Sequence, residues 1–415
     1  MRRRAPFVAL ISAYVVSVAG TSMSAIAIPW LVLTTTGSAA RTGVVVFAQL
    51  LPYVVAQLLA GPVVDRFGLR RSFVWGNAAA AVAIAAIPAC YALEVLTLPV
   101  LIGLVVVVGL RRGVADCANG PLVPTTAEVG GIAMERAAGI KSGANRAALL
   151  LGAPLAGVLV TGFGSPAVVA IDAGTFAVAA IIAAIWVRVR EPSTVEEAGL
   201  RRYLRDLGDG LRFVRGDRLL LGFITMVAVT NLLDQGLVEV MVPVWARNEV
   251  GSATALGLIS GVGGGGAVLG SLLGAWLTPK LPRRMTFAVS YVLSGAPRFA
   301  VLALSDSLAL ILAVWFAAEV FSGTLNPVLG AAAYERIPPE LRARVLGVLR
   351  STAWLGLPLG ALAGGYLTEA WSLHTALWVF GAAYLVTTLA PFVFPAWREL
   401  DRRPEPAPVV TPTAP

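Results

Sequence analysis

Gly61-Pro62-Val63-Val64-Asp65-Arg66-Phe67-Gly68-Leu69-Arg70-Arg71 sets three arginines, an aspartate and two glycines between two long apolar runs, 43–64 and 73–93. Each run has the ~20 residues that a helix needs to cross a bilayer. A short basic connection between two such runs is a loop at a membrane surface. Gly61 and Gly68 permit tight turns and close helix approach. Asp65 can accept hydrogen bonds at a helix end or pair with an arginine. Arg66, Arg70 and Arg71 can clamp helix ends or lipid phosphates.

Outward from this loop the same pattern continues. Of 415 residues, 57% are hydrophobic and only 13% charged, against about 25% charged in soluble domains. Polar residues are too few to cover two or three water-soluble domains. Apolar runs are expected to span near 7–33, 43–64, 73–93, 97–122, 139–161, 166–187, 219–245, 256–278, 286–304, 308–333, 344–367 and 373–395. The run after Arg2-Arg3-Arg4 reaches about Leu33, long for a signal peptide, and is read as the first span.

Charge sets the orientation. Arg41 and Arg247 are the only basic residues in loops on the side away from the N-terminus. Nearly all the rest of the 32 lysines and arginines lie in loops on the N-terminal side. The positive-inside rule then places both termini in the cytoplasm of a multi-pass protein of the cell membrane, which requires an even span count. The formal net charge of +9 reflects this loop bias, and no nucleic-acid partner is expected. Cys90 and Cys117 fall inside apolar segments and read as small buried hydrophobes.

The two halves repeat one another. Pro29-Trp30 corresponds to Pro243-Val244-Trp245, Gly37-Ser38-Ala39 to Gly251-Ser252-Ala253, and Gly43 to Gly257. Gly61 with Arg70-Arg71 corresponds to Gly274 with Arg283-Arg284, and Gly152-Ala153-Pro154-Leu155 to Gly356-Leu357-Pro358-Leu359. The expected fold is an all-α membrane protein: twelve transmembrane helices in two pseudo-symmetric six-helix bundles. The expected division is 1–187 for the first bundle, 188–218 for a cytoplasmic linker, 219–400 for the second bundle and 401–415 for a Pro-rich, disordered tail. Ser193 with Glu196 has capping-box spacing. Leu200, Tyr203, Leu204, Leu207, Leu211 and Val214 follow at helical spacing, which predicts an amphipathic helix on the cytoplasmic leaflet. Parallel repeats of this kind bind substrate near the midplane between the halves.

The loop 61–71 resembles the signature G-x-x-x-D-R-x-G-x-R-R of the major facilitator superfamily. Thr36-Gly37-Ser38-Ala39, the stretch Asp206 to Arg215, and Tyr334-Glu335-Arg336-Ile337-Pro338 are similar to the branch holding macrolide efflux pumps and the enterobactin exporter. The resemblance covers about 7–395. It implies the major facilitator fold and efflux of a drug or natural product driven by the proton gradient, with no cofactor. It also implies that the loop latches the halves in the outward-open state. In the second copy Thr278-Pro279 replaces the Asp-Arg pair. Ala153-Pro154-Leu155-Ala156-Gly157-Val158 only partly matches the family's antiporter motif. Gly152, Pro154, Gly356 and Pro358 are read as helix-packing or hinge positions.

Charges inside the membrane are expensive and mark function by default. Arg112 and Asp116 are four apart in the fourth span and can pair. Asn231, Asp234, Gln235 and Val238 share one face of the seventh; Glu239 points elsewhere and lies shallower. Arg111, Arg298, Glu319, Asp172 and Arg146 complete the set. Asp234, Glu319, Asp116, Arg112 and Glu239 are the proton-coupling candidates, because burial and a neighbouring arginine push a carboxylate's proton affinity in opposite directions. The branch often carries an acid just after the glycine of the first span; here Thr21 follows Gly20. Gln49, Gln57, Asn231, Gln235 and Arg298, with Trp30, Trp245 and Trp354, are cavity candidates. The expected partners are a small hydrophobic or amphipathic substrate and membrane lipids, with the chain a monomer.

Other readings are an uptake symporter for a metabolite, a siderophore transporter, or a transport-fold sensor. Enzymatic chemistry is not expected. A single histidine, His374, permits no zinc motif or histidine pair, and Gly261-Val262-Gly263-Gly264-Gly265-Gly266 has no following lysine to make a phosphate loop.

Overall fold

The computed structural model describes residues 4–188, 200–277, 280–338 and 340–401. Among them, twelve helices are long and apolar enough to cross a membrane. They are Ala5–Thr36 (span 1), Ala39–Leu59 (span 2), Leu69–Ala92 (span 3), Leu98–Val129 (span 4), Met134–Phe163 (span 5) and Ser165–Trp186 (span 6). The second set is Arg218–Val250 (span 7), Thr254–Leu277 (span 8), Arg283–Leu304 (span 9), Leu308–Gly330 (span 10), Arg344–Ala370 (span 11) and Leu373–Val393 (span 12). Several run past their expected ends. Span 4 continues through Pro121 and Pro124 to Val129, past its expected end at 122. An even count returns both described ends to one face, here the terminal face; the other is the far face.

The repeat is written in the backbone. Gly37 and Gly251 end spans 1 and 7 at φ 70° and 69°, left-handed values that favour glycine at a helix end. Ser38 and Ser252 follow. Ser38 Oγ accepts from Arg41 N–H at 3.1 Å and Ser252 Oγ from Thr254 N–H at 3.2 Å, so each serine opens the next helix. Span 7 departs from its mate: Leu237–Met241 and Ala246–Val250 are π-turns.

Within the first half, span 1 packs on spans 5 and 6, span 2 on span 4, and span 3 on spans 4 and 6. In the second half, span 7 packs on span 11, span 8 on span 10, and span 9 on spans 10 and 12. The linker helix is Leu200–Gly216. The described part of its apolar face packs on protein: Leu207, Leu211 and Val214 join a core with Leu219, Phe223, Val345 and Val348. Gly210 abuts the Arg344 carbonyl, and Arg344 Nη1 meets Asp209 Oδ2 at 3.3 Å. A helix with one apolar face suits lipid and protein equally, and span 11 covers this one from Leu207 onward. The turn Pro395–Asp401 buries Trp397 against Phe223 and Phe287. Ser193, Glu196, Thr278, Pro279 and the tail beyond Asp401 lie outside the described residues.

Two seams join the halves near the far face, span 2 with span 11 and span 5 with span 8. A methyl group at Gly43 would lie 2.5 Å from the Ala361 carbonyl oxygen and 3.2 Å from Gly365 Cα. One at Gly257 would lie 2.9 Å from the Ala153 carbonyl oxygen and 3.0 Å from Gly157 Cα. Backbone thus meets backbone at two positions related by the repeat. Above the first crossing, Glu369 accepts from Ser38 Oγ and, at 2.8 Å, from Ala40 N–H. Above the second, Thr161 Oγ1 meets Ser252 Oγ at 3.2 Å and Thr254 Oγ1 at 2.9 Å.

Candidate functional site

Below the seams a cavity of about 620 Å³ lies between the halves. Spans 1 and 5 supply Thr21, Ile26, Asn145, Arg146 and Leu150; spans 7 to 10 supply Glu239, Val242, Leu256, Arg298, Trp315 and Glu319. The wall is mainly apolar with a few polar groups, the usual make-up of a small-molecule site.

One charged cluster dominates its second-half side. Arg298 of span 9 donates through Nη2 to Asp234 Oδ1 of span 7 at 2.6 Å, and through Nη1 to Glu319 Oε1 of span 10 at 3.0 Å. Its side chain is 6% exposed, and its guanidinium sits 5.5 Å from the Trp315 ring centre. Glycine makes room for this: Gly263 and Gly266 of span 8 lie against Trp315 and Glu319. Two carboxylates therefore share one guanidinium at the edge of the cavity. The glycine run 261–266 is helix packing, with Gly261 seated on Pro154 and Gly264 on Leu150.

Glu239 also lines the cavity, beside Val238, Val242 and Pro243. This corrects the reading that it points away. A π-turn holds one residue more than an α-turn, so the helical phase set by Asn231 and Asp234 does not carry through Leu237–Met241. Asn231 itself is spent on packing: its Nδ2 donates to the Ala353 carbonyl of span 11 at 2.9 Å.

The first half carries a looser cluster. Arg112 Nε stands 3.8 Å from Asp116 Oδ2, and Tyr53 Oη donates to the same oxygen at 3.1 Å. Gln57 Nε2 donates to Tyr53 Oη at 3.3 Å, and Arg112 lies 5.0 Å from the Tyr53 ring centre. Tyr53 stacks on Trp354 of span 11 at 6.0 Å, with Arg350 over the far ring. Asp172 of span 6 is wholly buried, accepting from Ser24 Oγ and from Thr175 Oγ1. A methyl at Gly20 would fall 2.2 Å from its carboxylate. Asp172 of span 6 thus faces Gly20, while the next residue, Thr21, lines the cavity.

Of the cavity candidates, Arg298 lines the main cavity, while Gln57 belongs to the Asp116 cluster and Gln49 presents its backbone to Gly109 of span 4. Gln235 sits one turn before Glu239. Trp245 is buried, and Trp315, which the sequence did not single out, is the tryptophan of the wall. No spacing rule connects Trp315 of span 10 with Arg298 of span 9.

The loop 61–71 forms a short helix, Gly61–Phe67, followed by Gly68 at φ 87° and then span 3. Gly68 is the turn. Gly61 has open space where close approach was expected. Asp65 and Arg66 are exposed and make no ion pair among the described residues. Arg70 Nη2 donates to the Ala184 carbonyl at the end of span 6. Gly152 packs on Ala19 and Ser22 of span 1, Gly356 on Ala228 and Leu232 of span 7. Pro358 lies inside span 11.

The sequence pattern of the Major Facilitator Superfamily matches residues 10–245 and 224–414. The multidrug efflux pump Tap of Mycobacterium tuberculosis is 29% identical over 97% of this chain and 96% of its own length. Tap of Mycolicibacterium fortuitum is 27% identical over 97% and 99%. In three dimensions the chain is similar to a point mutant of the nucleoside transporter NupG (TM-score 0.76, 12% identity, 93% and 99% coverage). It is also similar to a bacterial homologue of the iron transporter ferroportin in its inward-facing state (0.68, 14%, 96% and 99%). With twelve membrane-crossing helices in two repeated bundles and a cavity between them, this chain belongs to the major facilitator superfamily of multi-pass membrane transporters.

Proposed function

We propose that the chain is a proton-coupled antiporter that exports a drug or hydrophobic natural product by alternating access, with both termini in the cytoplasm. The Asp234–Arg298–Glu319 cluster carries this reading. One guanidinium balances one carboxylate. The second carboxylate is balanced by a proton, because uncompensated charge inside a membrane is expensive. A rocking motion that alters Arg298's grip on either acid changes which side the proton leaves from. The cluster borders the cavity, so substrate occupancy and proton occupancy act on the same side chains. The full-length similarity to pumps named for multidrug efflux supports the exporter direction, and the bias of basic residues to the terminal face supports the orientation.

The energetics suffice. One charge crossing 100 mV is worth about 2.3 kcal/mol, which sustains roughly a fifty-fold gradient per proton before any pH difference. The test is Asp234→Asn in everted vesicles with an imposed proton gradient. Proton-driven uptake of a fluorescent drug is expected to fall at least about tenfold, the loss of roughly 1.4 kcal/mol of coupling. Unchanged uptake removes Asp234 from the coupling; wild-type uptake indifferent to the gradient removes antiport itself.

A further inference from the structure

Outside the central cavity, on the membrane-facing surface of the first half, a groove of about 520 Å³ runs between the helix 61–67, span 3 and span 4. Val63, Phe67, Trp75 and Val114 form its apolar wall, and Arg71 and Arg111 supply its charge. Phe67 is 61% exposed and Trp75 71% exposed. Span 3 packs on spans 4 and 6, all of the first half, so this face looks outward to the bilayer.

Arg111 is the anomaly. It lies about 20 Å along span 4 from Leu98 at the far face, about 10 Å short of the terminal-face limit of a ~30 Å hydrocarbon core. The neighbouring helix gives the same depth: Gly76, which abuts the Arg111 carbonyl, is about 10 Å along span 3 from Leu69. The side chain is exposed and makes no ion pair among the described residues. From that depth an arginine snorkels toward the terminal face, which is where Arg71 opens span 3. The repeat supplies a control. Arg284, the second-half copy of Arg71, donates to the carbonyls of Pro391 and Phe392 at 2.7 and 2.9 Å. Arg71 has no protein acceptor among the described residues, and its groove is open.

We propose that this groove is a binding site for an anionic phospholipid, its headgroup phosphate held between Arg71 and Arg111 and its acyl chains lying along Val63, Phe67 and Trp75. The pieces match the ligand: guanidinium forks for phosphate oxygens, tryptophan at the interface, and an apolar channel leading into the membrane. The site adjoins the helix 61–67 that carries Asp65 and Arg66, so the lipid would occupy the outer side of the signature loop.

The test is native mass spectrometry of the full chain released from nanodiscs containing equal phosphatidylglycerol and phosphatidylcholine. Wild type is expected to retain phosphatidylglycerol preferentially. Arg111→Gln and Arg71→Gln each weaken that retention about fivefold, the effect of one basic residue near an anionic surface; the double variant abolishes the preference. Arg111→Lys restores most of it, and unchanged melting of each variant in detergent separates lipid loss from misfolding. Equal retention of both lipids by wild type, or full phosphatidylglycerol retention by the double variant, overturns the proposal. So does displacement of the lipid by millimolar inorganic phosphate, which would mark a free-anion site.

Discussion

The two seams at the far face are the same joint built twice, with one chemical difference. Each sets a glycine of the first helix after a Gly-Ser turn against a carbonyl and a glycine of the opposite half. Each is closed above that crossing by a side chain reaching the serine: Glu369 for spans 2 and 11, Thr161 for spans 5 and 8. The backbone crossing provides the close fit on both sides. The carboxylate adds charge-assisted hydrogen bonds and sits at the N-terminus of span 2, where negative charge is favoured. The hydroxyl adds neutral bonds only. The closed far face is thus held symmetrically by shape and asymmetrically by charge.

That comparison can be broken first at the glycines. Gly43→Leu or Gly257→Leu overpacks a backbone crossing and is expected to cost the closed arrangement about 1–3 kcal/mol. Alkylation of a cysteine placed at Thr21, in a chain lacking Cys90 and Cys117, should then proceed from the far side of the membrane. The two variants should behave alike; a large effect of one alone would show that the seams are unequal in packing as well as charge. Glu369→Gln is a smaller change. The group is largely in water, so its bonds are screened, and the expected loss is about 0.5–1 kcal/mol, seen as up to a fivefold rise in far-side labelling. Thr161→Ala should do least, about 0.5 kcal/mol. Glu369→Thr should bring the two seams to parity, and raising ionic strength should move wild type and Thr161→Ala, which both keep Glu369, and leave Glu369→Thr unmoved.

Much of this was legible in the chain. Gly37-Ser38 and Gly251-Ser252 state their structure locally, because a left-handed glycine and a capping serine act within a few residues. The spans and the terminal-face loop are likewise local. The Arg112–Asp116 pair follows from spacing on one helix. The second-half cluster does not: Asp234, Arg298 and Glu319 come from three spans, and no periodicity says which face of span 9 meets which face of span 10. Glu239 was misplaced because a 3.6-residue period was carried through a π-turn. The protein contacts of Leu207, Leu211 and Val214 in the linker helix were not legible, because an apolar stripe does not name what covers it. Asp172 was visible as an intramembrane acid, but its contact with Gly20 is a product of packing alone.

The π-turns of span 7 have one more consequence. Each stores a residue beyond the α-helical count, so a residue can be removed from Leu237–Met241 and leave a continuous helix. The deletion would leave Pro243 and the turn at Gly251 at nearly the same phase, whereas the same deletion in a plain α-helix would turn everything beyond it by about 100°. Substitution in this segment interrogates chemistry, whereas deletion interrogates the π-turn itself. Span 7 admits both experiments; span 1, helical without a π-turn from Ala5 to Thr36, admits only the first.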